Sequence, residues 1–183
     1  WNYGSPGNIR TNSNKASGIG RVTFVKLDPN DDGNANSAIM YVGAPKGGLW
    51  RTTFNKNTRL VGTWTCLTDG LPNIGAVDIC INPTNRNIMY LVSGDKNAGI
   101  GNSPSGIGIL KSTDYGATWM PTAFYDDTPP DFSFGTIRKL IMDDSNPNRM
   151  WAATTSGIVR TTDGWQTFTT EQAGSFWDIE KGR

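Results

Sequence analysis

Apolar and polar positions along this chain alternate in short runs with a period of two, and the runs return in one order. Each series opens on Gly and a strand-like alternation that stops at an Asp-Pro or Asn-Pro turn. The first is Gly20-Arg21-Val22-Thr23-Phe24-Val25-Lys26-Leu27 before Asp28-Pro29-Asn30. The second is Gly75-Ala76-Val77-Asp78-Ile79-Cys80-Ile81 before Asn82-Pro83, and the third is Gly135 to Met142 before Asp143-Asp144-Ser145-Asn146-Pro147. Proline cannot donate to a sheet ladder, so each of these turns marks a strand end. A second apolar run follows each turn: Ile39-Met40-Tyr41-Val42, Ile88-Met89-Tyr90-Leu91-Val92 and Met150-Trp151-Ala152-Ala153. Then comes a Gly-led run: Gly48-Leu49-Trp50-Arg51, Gly108-Ile109-Leu110-Lys111 and Gly157-Ile158-Val159-Arg160. A hairpin and an aromatic-bearing fourth strand close the series at Gly62-Thr63-Trp64, Thr118-Trp119 and Thr167-Phe168.

Four strands per unit, repeated in the same order, is the pattern of β-propeller blades. No window sustains a 3.6-residue period, which excludes helical solenoids. The expected fold class is all-β: an arc of about three four-stranded antiparallel blades. The boundaries fall at 1–19 for an N-terminal extension, 20–66, 67–122 and 123–173 for the blades, and 174–183 for the first strand of a further blade. That last segment, Gly174-Ser175-Phe176-Trp177-Asp178-Ile179-Glu180, begins the series a fourth time. A closed propeller takes at least about four blades. The chain is therefore expected to be part of a larger propeller, with further blades of the same parent protein as its first partners.

The hairpins carry a local motif. Ser112-Thr113-Asp114-Tyr115-Gly116-Ala117-Thr118-Trp119 has a near-copy in Thr161-Thr162-Asp163-Gly164-Trp165-Gln166-Thr167-Phe168. The Asp can accept from nearby main-chain N–H groups, the Gly permits positive φ, and the aromatic five residues after the Asp can tuck under the turn. Gly164 stands one place earlier than Gly116 relative to its Asp, yet the spacing to Trp119 and Phe168 is kept. The first unit has Thr52-Thr53-Phe54 instead, so the motif is read as a turn clamp and not as a ligand site.

Composition narrows the chemistry. A formal charge of +1 over 183 residues gives no field for nucleic acid, and no 18-residue apolar run is present to span a bilayer. Charged residues make up 18%, with a surplus of Asn, Ser, Thr and Gly, a balance more usual outside the cell. The chain opens on Trp1, so any secretion signal is expected to be removed or to lie elsewhere. Two cysteines, Cys66 and Cys80, make no disulfide framework, and Cys80 reads as a small buried hydrophobe. Histidine is absent, which removes the commonest general base and zinc ligand and every Ser-His or Cys-His pair.

The Ser112–Trp119 and Thr161–Phe168 segments resemble Asp-boxes, or BNR repeats, of sialidases, xyloglucan-cleaving glycoside hydrolases and sortilin-type receptors. Gly43-Ala44-Pro45-Lys46-Gly47-Gly48-Leu49-Trp50-Arg51 and the stretch from Asp78 to Asp95 resemble the large surface proteins of gliding Bacteroidetes. The resemblance implies export by type IX secretion and an extracellular or cell-surface location. It is specific for fold and poor for function.

Xyloglucanase-like enzymes place a catalytic Asp in the turn before a Gly-Gly-aromatic strand. Here Pro45 holds that place, and proline neither ionises nor donates a proton. Glycosidases generally need two carboxyl groups flanking the sugar bond. Asp126, Asp127 and Asp131 could meet a ligand or ion from an inter-blade loop, with a solvated loop as the plainer reading. Asp78 and Asp95 are read as holding the backbone. Asp28-Pro29-Asn30-Asp31-Asp32-Gly33 fits the start of a calcium loop, with Asp28, Asn30 and Asp32 as oxygen ligands. Ile39 occupies the place of the closing Glu, so an ordinary Asp-Pro turn competes with a structural calcium site. Trp165 and Trp1 are the tryptophans expected at the surface, while Trp50, Trp64, Trp119 and Trp151 are placed on strands. The Gly-rich stretch 97–106 reads as a surface loop.

The function expected is a non-catalytic, secreted recognition scaffold for a cell-surface protein or polysaccharide, with the type IX machinery as a further partner. The alternative is part of a xyloglucanase-like glycoside hydrolase whose catalytic carboxylates lie mostly outside this chain.

Overall fold

The computed structural model of the chain describes residues 21–71, 75–97, 106–126 and 135–182. The N-terminal extension 1–19 with Trp1, and residues 98–105 of the Gly-rich stretch, lie outside them. Among the described residues twelve strands and no helix form three antiparallel sheets of four. Blade 1 holds β1 (Phe24–Leu27), β2 (Ala38–Ala44), β3 (Gly48–Phe54) and β4 (Thr65–Cys66). Blade 2 holds β5 (Ala76–Ile81), β6 (Met89–Ser93), β7 (Gly108–Ser112) and β8 (Met120–Tyr125). Blade 3 holds β9 (Ile137–Met142), β10 (Met150–Thr154), β11 (Gly157–Thr161) and β12 (Thr169–Ala173). Each sheet is a simple meander, the order that short turns impose on consecutive antiparallel strands.

The three turns after the first strands have one construction. The Asp28, Asn82 and Asp143 side chains each accept a main-chain N–H two residues on, from Asn30 at 2.8 Å, Thr84 at 2.9 Å and Ser145 at 2.8 Å. This side-chain mimic of a turn replaces the ladder where the proline chemistry stops it.

Successive sheets pack face to face, and two apolar cores lie between them. Tyr41 and Leu49 of blade 1 meet Ile79, Met89, Leu91 and Leu110 of blade 2. Val77, Tyr90, Val92 and Ile109 leave the opposite face of blade 2 and meet Leu140, Met150, Ala152 and Val159 of blade 3. Because blade 2 is covered on both sides, β5 and β6 are buried at every position. That double burial explains why Ile79-Cys80-Ile81 reads as a continuous apolar run rather than an alternation. β12, the outermost strand, is exposed throughout and is correspondingly polar. A buried Leu such as Leu91 contributes roughly 1.5–3 kcal/mol by leaving water. Gly75 sets how closely two blades approach. A Cβ there would fall inside contact distance of the Pro45 and Gly94 carbonyl oxygens.

Two expectations are corrected. The fourth strands begin after the aromatic residue, not at it: Trp119 precedes β8, Phe168 precedes β12 and Trp64 precedes β4. The cause is that Thr118 and Thr167 belong to the turn, as described below. Trp165 is not at the surface: it is 1% exposed, held between blades 2 and 3. Residues 174–182 follow β12 back onto blade 3, where Gly174 and Phe176 donate to the Ser156 and Thr154 carbonyls at 3.3 and 2.9 Å.

Candidate functional site

The two Asp-bearing hairpins share one set of hydroxyl and carboxylate bonds. Ser112 Oγ donates to Asp114 Oδ1 at 2.8 Å and accepts from the Gly116 N–H at 2.9 Å. Thr161 Oγ1 does the same with Asp163 at 2.8 Å and the Trp165 N–H at 3.0 Å. Asp114 then accepts from Thr118 N at 2.9 Å and Thr118 Oγ1 at 2.5 Å; Asp163 accepts from Thr167 N at 2.9 Å and Thr167 Oγ1 at 2.7 Å. Both turns need two consecutive left-handed residues, Tyr115-Gly116 in one and Gly164-Trp165 in the other. One glycine relieves one of the two positions, and either position serves. This is why the glycine moves while the spacing to the aromatic holds.

The aromatics tie blades together. Trp119 Nε1 donates to the Leu67 carbonyl at 2.7 Å, linking blade 2 to the chain leaving blade 1. Phe168 meets Phe124 edge-on at 4.8 Å between centroids, and the Trp165 carbonyl accepts from Ala123 N at 2.9 Å. The donors around each carboxylate also set its acidity. Bonds from Thr118, and then from Ser112, hold Asp114 down at about 2, and those from Thr167 hold Asp163 at about 2. Blade 1 has Phe54 at the position equivalent to Asp114, and its longer turn is closed by Asn55, which accepts from Asn57 N and Thr58 N at 3.0 and 2.9 Å.

The Asp28–Gly33 segment is assembled as a turn. Asp28 is 2% exposed, and its oxygens face Asn30 N, the Asn30 amide at 3.1 Å and Tyr41 Oη at 3.4 Å. The Asn30 amide also donates to the Asn82 carbonyl at 2.9 Å, and Asp32 accepts from Asn34 N at 2.8 Å. Among the described residues no group of three or more His, Cys, Asp or Glu converges to hold a metal ion.

Asp78 carries more than its place in an apolar run suggests. Its carboxylate is 3% exposed and joins all three blades. Oδ1 lies 2.5 Å from Lys26 Nζ of blade 1 and 2.9 Å from the Ile79 N–H, and Oδ2 accepts from Leu140 N of blade 3 at 3.0 Å. Arg51 and Tyr115 form a second cross-blade contact. The guanidinium lies 4.0 Å from the ring centroid and donates to the Tyr115 carbonyl at 2.7 Å. Sequence reasoning had no signal for Arg51; for Asp78 the signal was a lone carboxylate inside an otherwise apolar strand.

The antiparallel meander gives each blade stack two ends. The Asx turns and Asp-bearing hairpins share one end, joined by Tyr115 N to the Asn87 carbonyl at 3.1 Å and Gly164 N to the Asn148 carbonyl at 2.9 Å. The opposite end carries the Pro45-Lys46-Gly47 turn, the connection between β6 and β7, and the chain leaving β8, where Asp126 N donates to the Ile107 carbonyl at 3.1 Å. Asp126 thus sits at the Pro45 end, away from Asp114 and Asp163. Asp127 and Asp131 lie outside the described residues. No acidic side chain belongs to the Pro45 turn. Four carboxylates among the described residues are held below the ordinary range: Asp31 by Lys56, Asp114 and Asp163 by their threonines, Asp143 by Ser145 and Arg149. Burial pushes the Cys80 thiol up to about 12, and both cysteines are free. No described helix is long and apolar enough to cross a membrane.

No protein-family profile matches the chain, and no curated protein matches it either. Solved structures do. An ancestral GH74 enzyme superimposes with TM-score 0.58 at 18% identity, over 85% of this chain and 18% of that one. The GH74 enzyme of Niastella koreensis gives 0.58 at 22%, over 82% and 21% of the two chains. The GH74 xyloglucanase of Xanthomonas campestris gives 0.56 at 19%, over 82% and 20%. The likeness establishes the fold, an arc of a β-propeller, and the chain spans about a fifth of each of these proteins.

Proposed function

We propose that this chain is a segment of an exported β-propeller that serves as a recognition scaffold for an extracellular polysaccharide, without supplying catalytic carboxylates itself. The hairpins are its Asp-boxes, and their role is to clamp turns and join blades. The polymer would be met at the Pro45 end, where the end of β6, the start of β7 and Asp126 lie. The observation that carries the reading is the state of the carboxylates. A general acid in glycoside hydrolysis needs a raised pKa, whereas Asp31, Asp114, Asp143 and Asp163 are each held down by donors that also close a turn or a salt bridge. Pro45 in the turn before β3 points the same way. Its resemblance to surface proteins of gliding Bacteroidetes makes type IX secretion the proposed export route.

The fold shared with GH74 enzymes favours a second reading, in which the parent is a glycoside hydrolase and this arc supplies binding subsites. A glycan array with the 183-residue chain, run beside a reducing-end assay on xyloglucan, separates the two. Binding without release of reducing ends supports the scaffold. Release of reducing ends by the chain alone sinks it.

A further inference from the structure

We infer that residues 176–180 are the innermost strand of a fourth blade, already seated on β9, and that Ile141, Trp151, Ile158 and Arg160 form the face on which the rest of that blade packs. This rests on the propeller-segment reading above and is independent of what the propeller recognises.

The first ground is that Asp178 repeats Asp78. Each carboxylate accepts the N–H of the following isoleucine at 2.9 Å, Ile179 in one case and Ile79 in the other. Each faces a lysine from the preceding inner strand: Lys26 of β1 for Asp78, and Lys139 of β9, at 3.8 Å, for Asp178. The difference is burial. Asp78 is 3% exposed and Asp178 is 62% exposed. Asp78 has the next inner strand against it, through Leu140 N, and Asp178 has no such strand among the described residues. Further contacts seat the segment. The Arg138 guanidinium lies 3.4 Å from the Trp177 ring centroid, and Lys181 pairs with Asp144 at 2.6 Å.

The second ground is the register of the sheets. In blade 1 Tyr41 stands opposite Arg51, in blade 2 Tyr90 opposite Lys111, and in blade 3 Trp151 opposite Arg160. Tyr41 and Leu49 lie fully buried under blade 2, and Tyr90 and Ile109 are as deeply buried under blade 3. Their counterparts Trp151 and Ile158 are only half-buried. Arg51 reaches forward to the hairpin of the next blade, whereas Arg160 turns back to Glu171 of its own blade at 2.6 Å. Between this face and residues 179–182 lies an open cleft of about 530 Å³, lined by Ile141, Trp151, Ile179 and Lys181.

The occupant is a four-stranded blade continuous with residues 176–180, not a second copy of the chain. A second copy docking through its own β1 would need the place beside β9 that 176–180 already holds. By continuity with the interface between blades 1 and 2, Arg160 then leaves Glu171 and donates to a left-handed hairpin carbonyl of the new blade, as Arg51 does to Tyr115.

Two measurements test this. In the unaltered chain, hydrogen exchange should show the Phe176 and Ile179 amides slowed at least about tenfold against an unstructured peptide, with Asp178→Ala abolishing the protection at Ile179 but not in β10 or β11. Exchange at the unstructured rate in the unaltered chain overturns the seating. For the face, a thiol is introduced by Ile158→Cys in a Cys66→Ser background and its maleimide labelling rate is read. Appending a second copy of residues 143–173 after Gly182, which supplies three more strands, should slow labelling at least about tenfold. An unchanged rate overturns the assignment of the face. Labelling that slows with protein concentration in the chain without the appended strands overturns the choice of occupant in favour of a second copy. Neither measurement depends on glycan binding, so the recognition reading stands or falls separately.

Discussion

Replacing Asp78 by alanine is the most demanding perturbation available to this fold. The carboxylate is 3% exposed and accepts two main-chain N–H groups, those of Ile79 and Leu140, which belong to different blades. Each donor left without an acceptor in the interior costs about 1–3 kcal/mol. The third partner, Lys26, is about one-third exposed and also donates to the Ile79 carbonyl at 2.8 Å, so it can return toward water at little cost. Removing a buried charge offsets part of the loss, and breaking one side of a buried pair is generally worth about 3–5 kcal/mol. The expected destabilisation of Asp78→Ala is therefore about 3–5 kcal/mol, against a total of roughly 5–15 kcal/mol for a domain. Urea unfolding followed by tryptophan fluorescence gives the energy, and hydrogen exchange at the Leu140 amide gives the place. Lys26→Met serves as the control and should cost less than about 1 kcal/mol. If Asp78→Ala costs under about 1 kcal/mol, or leaves Leu140 as protected as before, the carboxylate does not join the blades and the reasoning is wrong.

Three further outcomes follow from the hairpins and the core. Ser112→Ala and Thr161→Ala each remove a buried hydroxyl that accepts a turn N–H, and each should cost about 1–3 kcal/mol by urea unfolding, close to additively because they lie in different blades. Asp114 and Asp163 have folded pKa values depressed to about 2, so their stabilisation is complete above the unfolded value near 4 and disappears as pH falls toward 2. The double variant Asp114→Asn/Asp163→Asn should lose less Tm than the parent chain between pH 5 and pH 2.5, and an equal loss would contradict the assignment. Trp165 Nε1 is buried with no acceptor among the described residues. Trp165→Phe should stay within about 1.5 kcal/mol of the parent, while Trp165→Ala costs about 3–5 kcal/mol by the same unfolding assay.

The repeat of four strands was legible because its punctuation is chemical. Asx-Pro turns end the first strands and a glycine opens each third strand at Gly48, Gly108 and Gly157. The Ser112–Trp119 hairpin was legible as a clamp because Asp114 and Ser112 bond within eight residues of sequence. What was hidden depends on neighbours from another blade. Trp165 reads as a turn tip by position and is buried because residues of blade 2, Phe124 among them, stand against it. The fourth strands were set too early because Thr118 looks like a strand residue until its hydroxyl is seen on Asp114. Asp28, Asn30 and Asp32 match the spacing of a cation loop, but Asx turns give the same spacing, and the buried contact of Asp28 with Tyr41 is not visible along one strand. The Pro45 end, where recognition is proposed, was the least legible, because its connections have no periodicity to read.

The double burial of β5 and β6 has a consequence for how this molecule comes apart. In a linear array each unit is stabilised by its own folding energy plus a coupling to each neighbour, much as in a one-dimensional Ising chain. Blade 2 has two such couplings, while blades 1 and 3 each have one among the described residues. Opening should therefore start at the outer members, at the short β4 or the exposed β12, and travel inward. The amides of Ile79, Leu91 and Leu110 would then exchange only when the whole array opens, and the middle of the chain would report the global stability while its flanks report local fraying.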